Sequence, residues 1–384
     1  MRFEFATATR ILFGPGAVRQ VGALAQEMGR RALLVTGRCA DRAVSVLSSL
    51  AAHQVETVEF ALTGEPTIEA VTKGAQRARD EGCALVVGFG GGSAVDGGKA
   101  IAALAANPGD PLDYLEVIGH GKPLPKASLP FIAVPTTAGT GAEVTRNAVL
   151  ASPHHRVKVS LRSPLMLPKL AVVDPELTHS LPPSITASTG LDALTQLIEP
   201  FVSVRANPIT DALCAEGIGR VGRSLLRAYQ DGGDASARED MALASLLSGL
   251  ALANAGLGAV HGFAAPIGGM FSAPHGAVCA ALLPHVMEVN LRALQERLPM
   301  APFLQRYDQV AQWVVGNPEA TAADGVGWVR ELCSSLRIPS LRGYGISAAD
   351  LPGLAEKARM ASSMKGNPIE LTTDELLEIL DRAL

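Results

Sequence analysis

Four side chains in the second half of the chain have the types and spacing of a metal site. Asp192 and Gln196 stand four residues apart and so share one helix face. His261 ends a long apolar helical run, and His275 lies in Ala273-Pro274-His275-Gly276, just before the next one. One carboxylate, one amide oxygen and two imidazoles form an N/O set suited to Zn2+ or Fe2+. A cation held there polarises an alcohol or carbonyl oxygen and lowers the pKa of the alcohol before hydride leaves. Each residue also has a plainer use. Asp192 lies near the start of its helical run, where a carboxylate can cap it. A single buried histidine is commonly a hydrogen-bonded core residue, and the neutral oxygen of Gln196 is a poorer ligand than an imidazole.

A second constellation lies in the first half. Gly90-Gly91-Gly92-Ser93-Ala94-Val95-Asp96 follows a strand-like run and opens a helix-like one. Residues without side chains let backbone N–H groups approach a pyrophosphate, and the helix N-terminus adds a favourable field. The alternative is a plain tight turn. The loop is not G-x-G-x-x-G and does not follow the first strand, so a standard Rossmann domain is a poor match. It also lacks the Lys-Ser/Thr end of a P-loop. Pro135-Thr136-Thr137-Ala138-Gly139-Thr140-Gly141 offers hydroxyls and glycines at another strand end. These suit a ribose and diphosphate edge, and equally an ordinary turn.

The elements that must position these loops follow a βαβ rhythm. Strand-like runs occur at Phe3–Phe5, 10–13, 32–36, 55–60, 85–89, 131–134 and 171–173, with helical runs at 18–28, 41–52, 67–81 and 94–106 between them. Such an order predicts a mostly parallel sheet with ligands at the carboxyl ends of its strands. After Leu181-Pro182-Pro183 helical stretches dominate, at about 185–201, 207–229, 237–255, 276–292, 301–316, 322–336, 351–361 and 373–383. The expected organisation is an α/β dinucleotide-binding domain over 1–182 and an all-α metal and substrate domain over 183–384.

Bulk properties agree with an enzyme of this build. The chain has 384 residues, 48% apolar and 18% charged, which suits two packed domains rather than disorder. A net charge of -4 with scattered basic residues gives no bulk attraction for nucleic acid or an anionic membrane. The five cysteines lack C-x-x-C spacing and are odd in number, which argues against a disulfide framework or a cysteine zinc knuckle. The first residues lack the apolar core of a signal peptide, and the expected location is cytoplasmic. The apolar run that starts after Glu239 and Asp240 is glycine-rich and contains His261, so it reads as a buried helix and not a membrane span.

Taken together, the motifs resemble the iron-containing, or group III, alcohol dehydrogenase family, with its maleylacetate reductase branch. The matching pieces are Thr7 to Gly14, Gly90 to Asp96, Pro135 to Thr145, Gly190-Leu191-Asp192-Ala193-Leu194, His261 to His285 and Met364 to Pro368. The resemblance implies a dehydroquinate synthase-like fold, with a dinucleotide-binding domain followed by a helical metal domain and the active site in the cleft between them. It implies NAD(H) or NADP(H) and one Fe2+ or Zn2+ as cofactors, a small alcohol or aldehyde as substrate, and a homodimer or larger homo-oligomer. Gly90, Gly91, Gly92 and Ser93 match the diphosphate loop, with Asp96 on the helix it opens. Thr136, Thr137 and Thr140 match residues along the cofactor, and Lys158 resembles a basic residue that reaches cofactor oxygens. Asp192, His261 and His275 match three of four metal ligands.

Three positions depart from the family pattern. Gln196 stands where the family has a fourth ligand, a histidine. Ala265 replaces another histidine near the nicotinamide, four residues after His261. Gly37, followed by Arg38, occupies the place of an acidic residue that bonds the adenosine ribose in NAD-using members. Without that carboxylate a 2′-phosphate is not repelled, and Arg38 could pair with it. Otherwise Gly37 makes a turn and Arg38 faces water. The expected activity is metal-dependent, NAD(P)-linked hydride transfer between an alcohol and a carbonyl. The alternatives are a maleylacetate-type or metal-independent reductase, and a nicotinamide-binding protein without activity.

Overall fold

A computed structural model describes residues 2–37, 40–155 and 157–384, without the side chains of Ala40 and Asp41. The described residues form two compact units, one of Ala6–Thr137 with Gly141–Thr178 and the other of Met1–Phe5, Ala138–Thr140 and His179–Leu384.

The first unit is built on short apolar strands. These are β1 (Ile11–Phe13), β2 (Arg31–Thr36), β3 (Glu56–Ala61), β4 (Leu85–Gly90), β5 (Phe131–Pro135), β6 (Asn147–Ser152), β7 (Val157–Arg162) and β8 (Leu170–Val173). Six of them make one sheet in the order β1-β8-β5-β4-β2-β3, parallel at every pairing. Between the strands run α1 (Val21–Gln26), α2 (Val44–Ala52), α3 (Ile68–Asp80) and α4 (Gly92–Ala106). Because side chains alternate along a strand, each strand feeds two cores. Leu33 and Val35 pack with Val71 and Ala75 of α3 and Val95 of α4. Their neighbours Ala32 and Leu34 pack on the other face with Leu24 of α1 and Leu50 of α2. Coverage on both faces explains why these strands read as continuous apolar runs.

β6 and β7 form a separate antiparallel pair, an element absent from the expected order. Conversely, the strand expected at Phe3–Phe5 is not one: no described strand includes residues 2–8. A strand needs a ladder, and β1 takes the sheet edge beside β8.

The second unit is helical. Its α-helices are α5 (Pro183–Val202), α6 (Pro208–Gln230), α7 (Ala235–Ala255), α8 (Ala259–Met270), α9 (His275–Arg297), α10 (Phe303–Val315), α11 (Ala322–Ser335), α12 (Leu351–Met360) and α13 (Thr373–Ala383). α5 packs against α6, α7 and α9, and is buried almost continuously from Gly190 to Val202. One expectation is corrected here: His261 does not end a long apolar helix. That helix stops at Ala255, where Gly256 adopts φ +73°, and the chain turns by 99° into α8. A left-handed residue at a helix C-terminus ends it at little cost only when it lacks a Cβ. His261 therefore falls in the first turn of α8. α9 is long and apolar enough to cross a membrane, but most of that stretch is buried inside the protein.

Candidate metal centre and cofactor loop

Asp192 lies in the middle of α5, too far from its start to cap it. With Gln196 and Glu199 it forms one stripe, because residues four and seven apart return to the same helix face. His261 comes from the first turn of α8, and His275 opens α9. Cys279, one turn further along α9, completes a group of four donors that all lie within 4.8 Å of one another. Asp192 Oδ1 is 3.5 Å from His261 Nε2 and 3.7 Å from His275 Nε2. Cys279 Sγ is 3.9 Å from His261 Nε2 and 3.7 Å from His275 Nε2. Asp192, His261 and Cys279 are buried, and His275 is half-buried.

The groups of this cluster stabilise one another's charges. Burial pushes the Asp192 carboxyl up, but His275 and His261 beside it outweigh that and hold it below the usual carboxylate range. For His261 burial disfavours the charged ring, yet Cys279, Glu199 and Asp192 raise its pKa well above the ordinary value. His275 is raised chiefly by Cys279. Burial alone would raise the Cys279 thiol, but the two histidines bring it below its ordinary value.

The cluster fits a divalent metal on a specific observation. Asp192 Oδ1 is buried and makes no hydrogen bond in the protein. An orphaned carboxylate oxygen is costly unless something cationic meets it, and two imidazole nitrogens and a sulfur surround this one.

Glu199 sets the ring of His261. Its Oε2 accepts from His261 Nδ1 at 2.6 Å and its Oε1 accepts from Val260 N at 2.7 Å. An ionised carboxylate can only accept, so Nδ1 carries a proton, and Nε2 is the nitrogen turned to the cluster, free to meet a cation once its own proton leaves. Asn367, from the tail motif, accepts from Ala259 N at 3.2 Å and fixes the same helix start. Gln196 is buried, and its Oε1 accepts from Ser248 Oγ at 3.2 Å. Glu199, Cys279 and Ser248 are absent from the sequence expectations. The available signals were the i+7 spacing of Glu199 from Asp192 and the i+4 spacing of Cys279 from His275.

The residues expected to meet the cofactor lie elsewhere in the chain. α4 begins at Gly92 directly after β4, with Gly91 as its N-cap. Gly90 has φ +151°, and a Cβ there would lie 2.7 Å from Ala94 Cβ. A Cβ on Gly91 would fill the space beside Thr137, at 3.3 Å. A side chain is excluded at Gly90 and crowded at Gly91, and bare backbone at a helix N-terminus suits a diphosphate. Thr136 N donates to Gly90 O at 2.9 Å, so the second loop is tied to the first. Gly37 lies beside Gly90, while Arg38 is outside the described residues. Asp96 turns to the protein: its Oδ2 accepts from Val149 N at 3.0 Å, and Oδ1 pairs with buried Lys99 at 3.1 Å. Lys158 pairs with Glu65 at 2.8 Å. Thr140 belongs to the helical unit, and Thr136 and Thr137 to the sheet unit.

Comparisons with known proteins agree with this chemistry across the whole chain. The profile of the iron-containing alcohol dehydrogenases matches residues 8–175, and that of the C-terminal region of the Fe-containing alcohol dehydrogenase family matches residues 186–384. Alcohol dehydrogenase 4 of Saccharomyces cerevisiae is 38% identical over 319 residues, 83% of this chain and 80% of that one. The 1,3-propanediol dehydrogenase of Citrobacter freundii is 36% identical over 394 residues, covering 99% of this chain and 98% of its own. The crystal structure of a 1,3-propanediol oxidoreductase superposes with a TM-score of 0.93 at 34% identity, over 100% of both chains. An α/β half and a helical half matched in order, with carboxylate and imidazole donors converging in the second, make this chain a member of the iron-containing alcohol dehydrogenase family, a metal-dependent, NAD(P)-linked oxidoreductase acting on CH–OH groups.

Proposed function

We propose that the chain interconverts a small alcohol and its aldehyde, with Asp192, His261 and His275 holding the metal and Gln196 completing its surroundings directly or through water. The observation that carries this reading is the buried Asp192 oxygen that lacks a hydrogen-bond partner between two histidine nitrogens. When bound, the metal polarises the alcohol or carbonyl oxygen and the nicotinamide accepts or returns the hydride.

The chain's own residues do the rest. Glu199 fixes the tautomer of His261 and aims its Nε2. Gly91, Gly92 and Ser93 offer backbone amides at the start of α4 to the cofactor diphosphate, and Gly90 supplies the positive φ that lets β4 turn into that helix. Thr136, Thr137 and Thr140 supply hydroxyls along the cofactor. Asp96 and Lys99 tie the helix that this loop opens to Thr145, Asn147 and Val149 around the start of β6. Lys158, already paired with Glu65, gives a positive edge with its charge partly balanced. Ala265 is exposed and has no group to carry a proton, so the alcohol proton leaves to water or a ribose hydroxyl. The free thiols of Cys83, Cys214, Cys279 and Cys333 suit a reducing compartment, which supports a cytoplasmic location.

Metal content by mass spectrometry, on protein purified without oxygen or chelator, tests the metal assignment. About one zinc or iron per chain is expected, with His261→Ala losing both the metal and aldehyde reduction. Unchanged turnover in that variant, or full activity after chelation, refutes it. With no acidic residue at Gly37, NADP(H) is expected to be accepted beside NAD(H). A preference for NADH above about 100-fold in kcat/KM, or about 2.7 kcal/mol, overturns that part.

A further inference from the structure

Cys279 has no part in the reading above, yet its sulfur is one of the four converging donors. We propose that Cys279, as its thiolate, is a direct metal ligand, taking the role expected of Gln196 and fitting the centre to a thiophilic divalent cation such as zinc. The inference rests on the metal reading under Proposed function and adds a ligand to it.

Geometry comes first. His275 and Cys279 are four residues apart in the opening turns of α9, so ring and sulfur lie on one face. Four donors bound tetrahedrally at zinc–nitrogen, zinc–oxygen and zinc–sulfur distances are about 3.3–3.7 Å apart. The separations here are 3.5 and 3.7 Å for Asp192 to the two imidazoles, and 3.9 and 3.7 Å for Cys279 to the same nitrogens. Four of the six edges of a coordination tetrahedron are therefore matched within a few tenths of an ångström, and the remaining two pairs lie within 4.8 Å. The sulfur meets the two imidazoles in weak hydrogen bonds of 3.7 and 3.9 Å, so it is held toward the same point as the other donors.

Charge is the second argument. Asp192 and a thiolate bring two negative charges to a divalent cation, so the buried centre is neutral with both histidines uncharged. With Gln196 in place of the thiolate, a net positive charge remains in the interior, where unpaired charge is costly. Gln196 Oε1 already accepts from Ser248 Oγ. Sulfur also orders the metals, since a soft donor favours zinc over harder cations. On binding, the metal–sulfur bond forms, the S–H bond breaks and the proton leaves to solvent.

The test is cobalt(II) loading of the intact metal-stripped protein, followed by zinc affinity from chelator competition. Cobalt-loaded wild type is expected to show a sulfur-to-cobalt charge-transfer band in the near ultraviolet, lost in Cys279→Ser. Cys279→Ser and Cys279→Ala are expected to weaken zinc binding about a hundredfold or more, beyond the effect of losing a residue that only orients a ligand. Gln196→Ala is expected to cost less than about tenfold by comparison. A cobalt-loaded wild type without the band overturns the inference and needs no variant to fold. Zinc affinity unchanged in a folded Cys279→Ala also overturns it, leaving the metal reading intact. Failure of wild type to take up zinc, iron or cobalt overturns both.

Discussion

Replacing Glu199 with glutamine should disarm the metal centre while leaving the fold nearly intact. Glu199 is 4% exposed, and its two oxygens accept from Val260 N at 2.7 Å and His261 Nδ1 at 2.6 Å. Glu199→Gln has one acceptor where two are needed. Its oxygen stays with the Val260 amide, which cannot change its proton, and its NH2 then faces His261 Nδ1. The ring answers by moving its proton to Nε2, where it points at Asp192 Oδ1, 3.5 Å away. No group is newly stranded in the metal-free protein, so its stability should fall by only about 1 kcal/mol. Metal binding must reverse the tautomer and set two donors against each other, leaving one buried donor unmet. That costs about 1–3 kcal/mol, or about 5- to 150-fold in affinity, and overlaps the range for partners that orient metal ligands. Zinc competition against a chelator, beside urea unfolding of the metal-free protein, reads both quantities. Zinc affinity within about twofold of wild type would refute the tautomer argument. A loss of metal-free stability above about 3 kcal/mol would show that Glu199 serves the fold instead.

Three further outcomes are expected. A Cβ at Gly276 would lie 2.3 Å from the Ser188 carbonyl oxygen, so Gly276→Ala must push the start of α9, and His275 with it, away from α5. We expect a loss of about 1–3 kcal/mol in urea unfolding together with weakened zinc binding, and an unchanged variant would contradict the close approach. Gly90→Ala forces a Cβ into a backbone with φ +151° and onto Ala94, so NADH binding, read by fluorescence titration, should weaken more than about tenfold. Burial raises the Glu143 carboxyl from the ordinary 4.5 to about 7. A folded-state pKa above the unfolded one gives stability that is fully present below about pH 4.5 and lost as pH rises through 7. Glu143→Gln removes this dependence, so its stability relative to wild type should rise between pH 5 and 8 by up to about 3 kcal/mol in urea unfolding, and a flat difference refutes it.

The parts that follow from neighbouring residues were legible without coordinates. β4, the glycine run and α4 are contiguous, and a strand followed by bare backbone and a helix has few ways to fold. The position of Gln196 one turn after Asp192 follows from helical period alone. The α7–α8 turn was harder, because Gly256 in an apolar run reads as a tolerated helix residue until its φ of +73° is known. The hairpin of β6 and β7 and the missing strand at Phe3–Phe5 turned on which segments find a ladder partner, and a segment's own residues do not state that.

Most of the element order, the glycine loop between β4 and α4, and three of the four converging donors were legible from the chain alone. Each of these is carried by local periodicity or by a motif with fixed spacing. The folded packing is what sets Glu199 against His261, Ser248 against Gln196, and Cys279 beside Asp192 rather than among the inert buried cysteines. Those pairings join residues up to 87 positions apart, the separation of Asp192 and Cys279. They exist because α5, α7, α8 and α9 bury their apolar faces together, and that packing fixes which polar side chains meet.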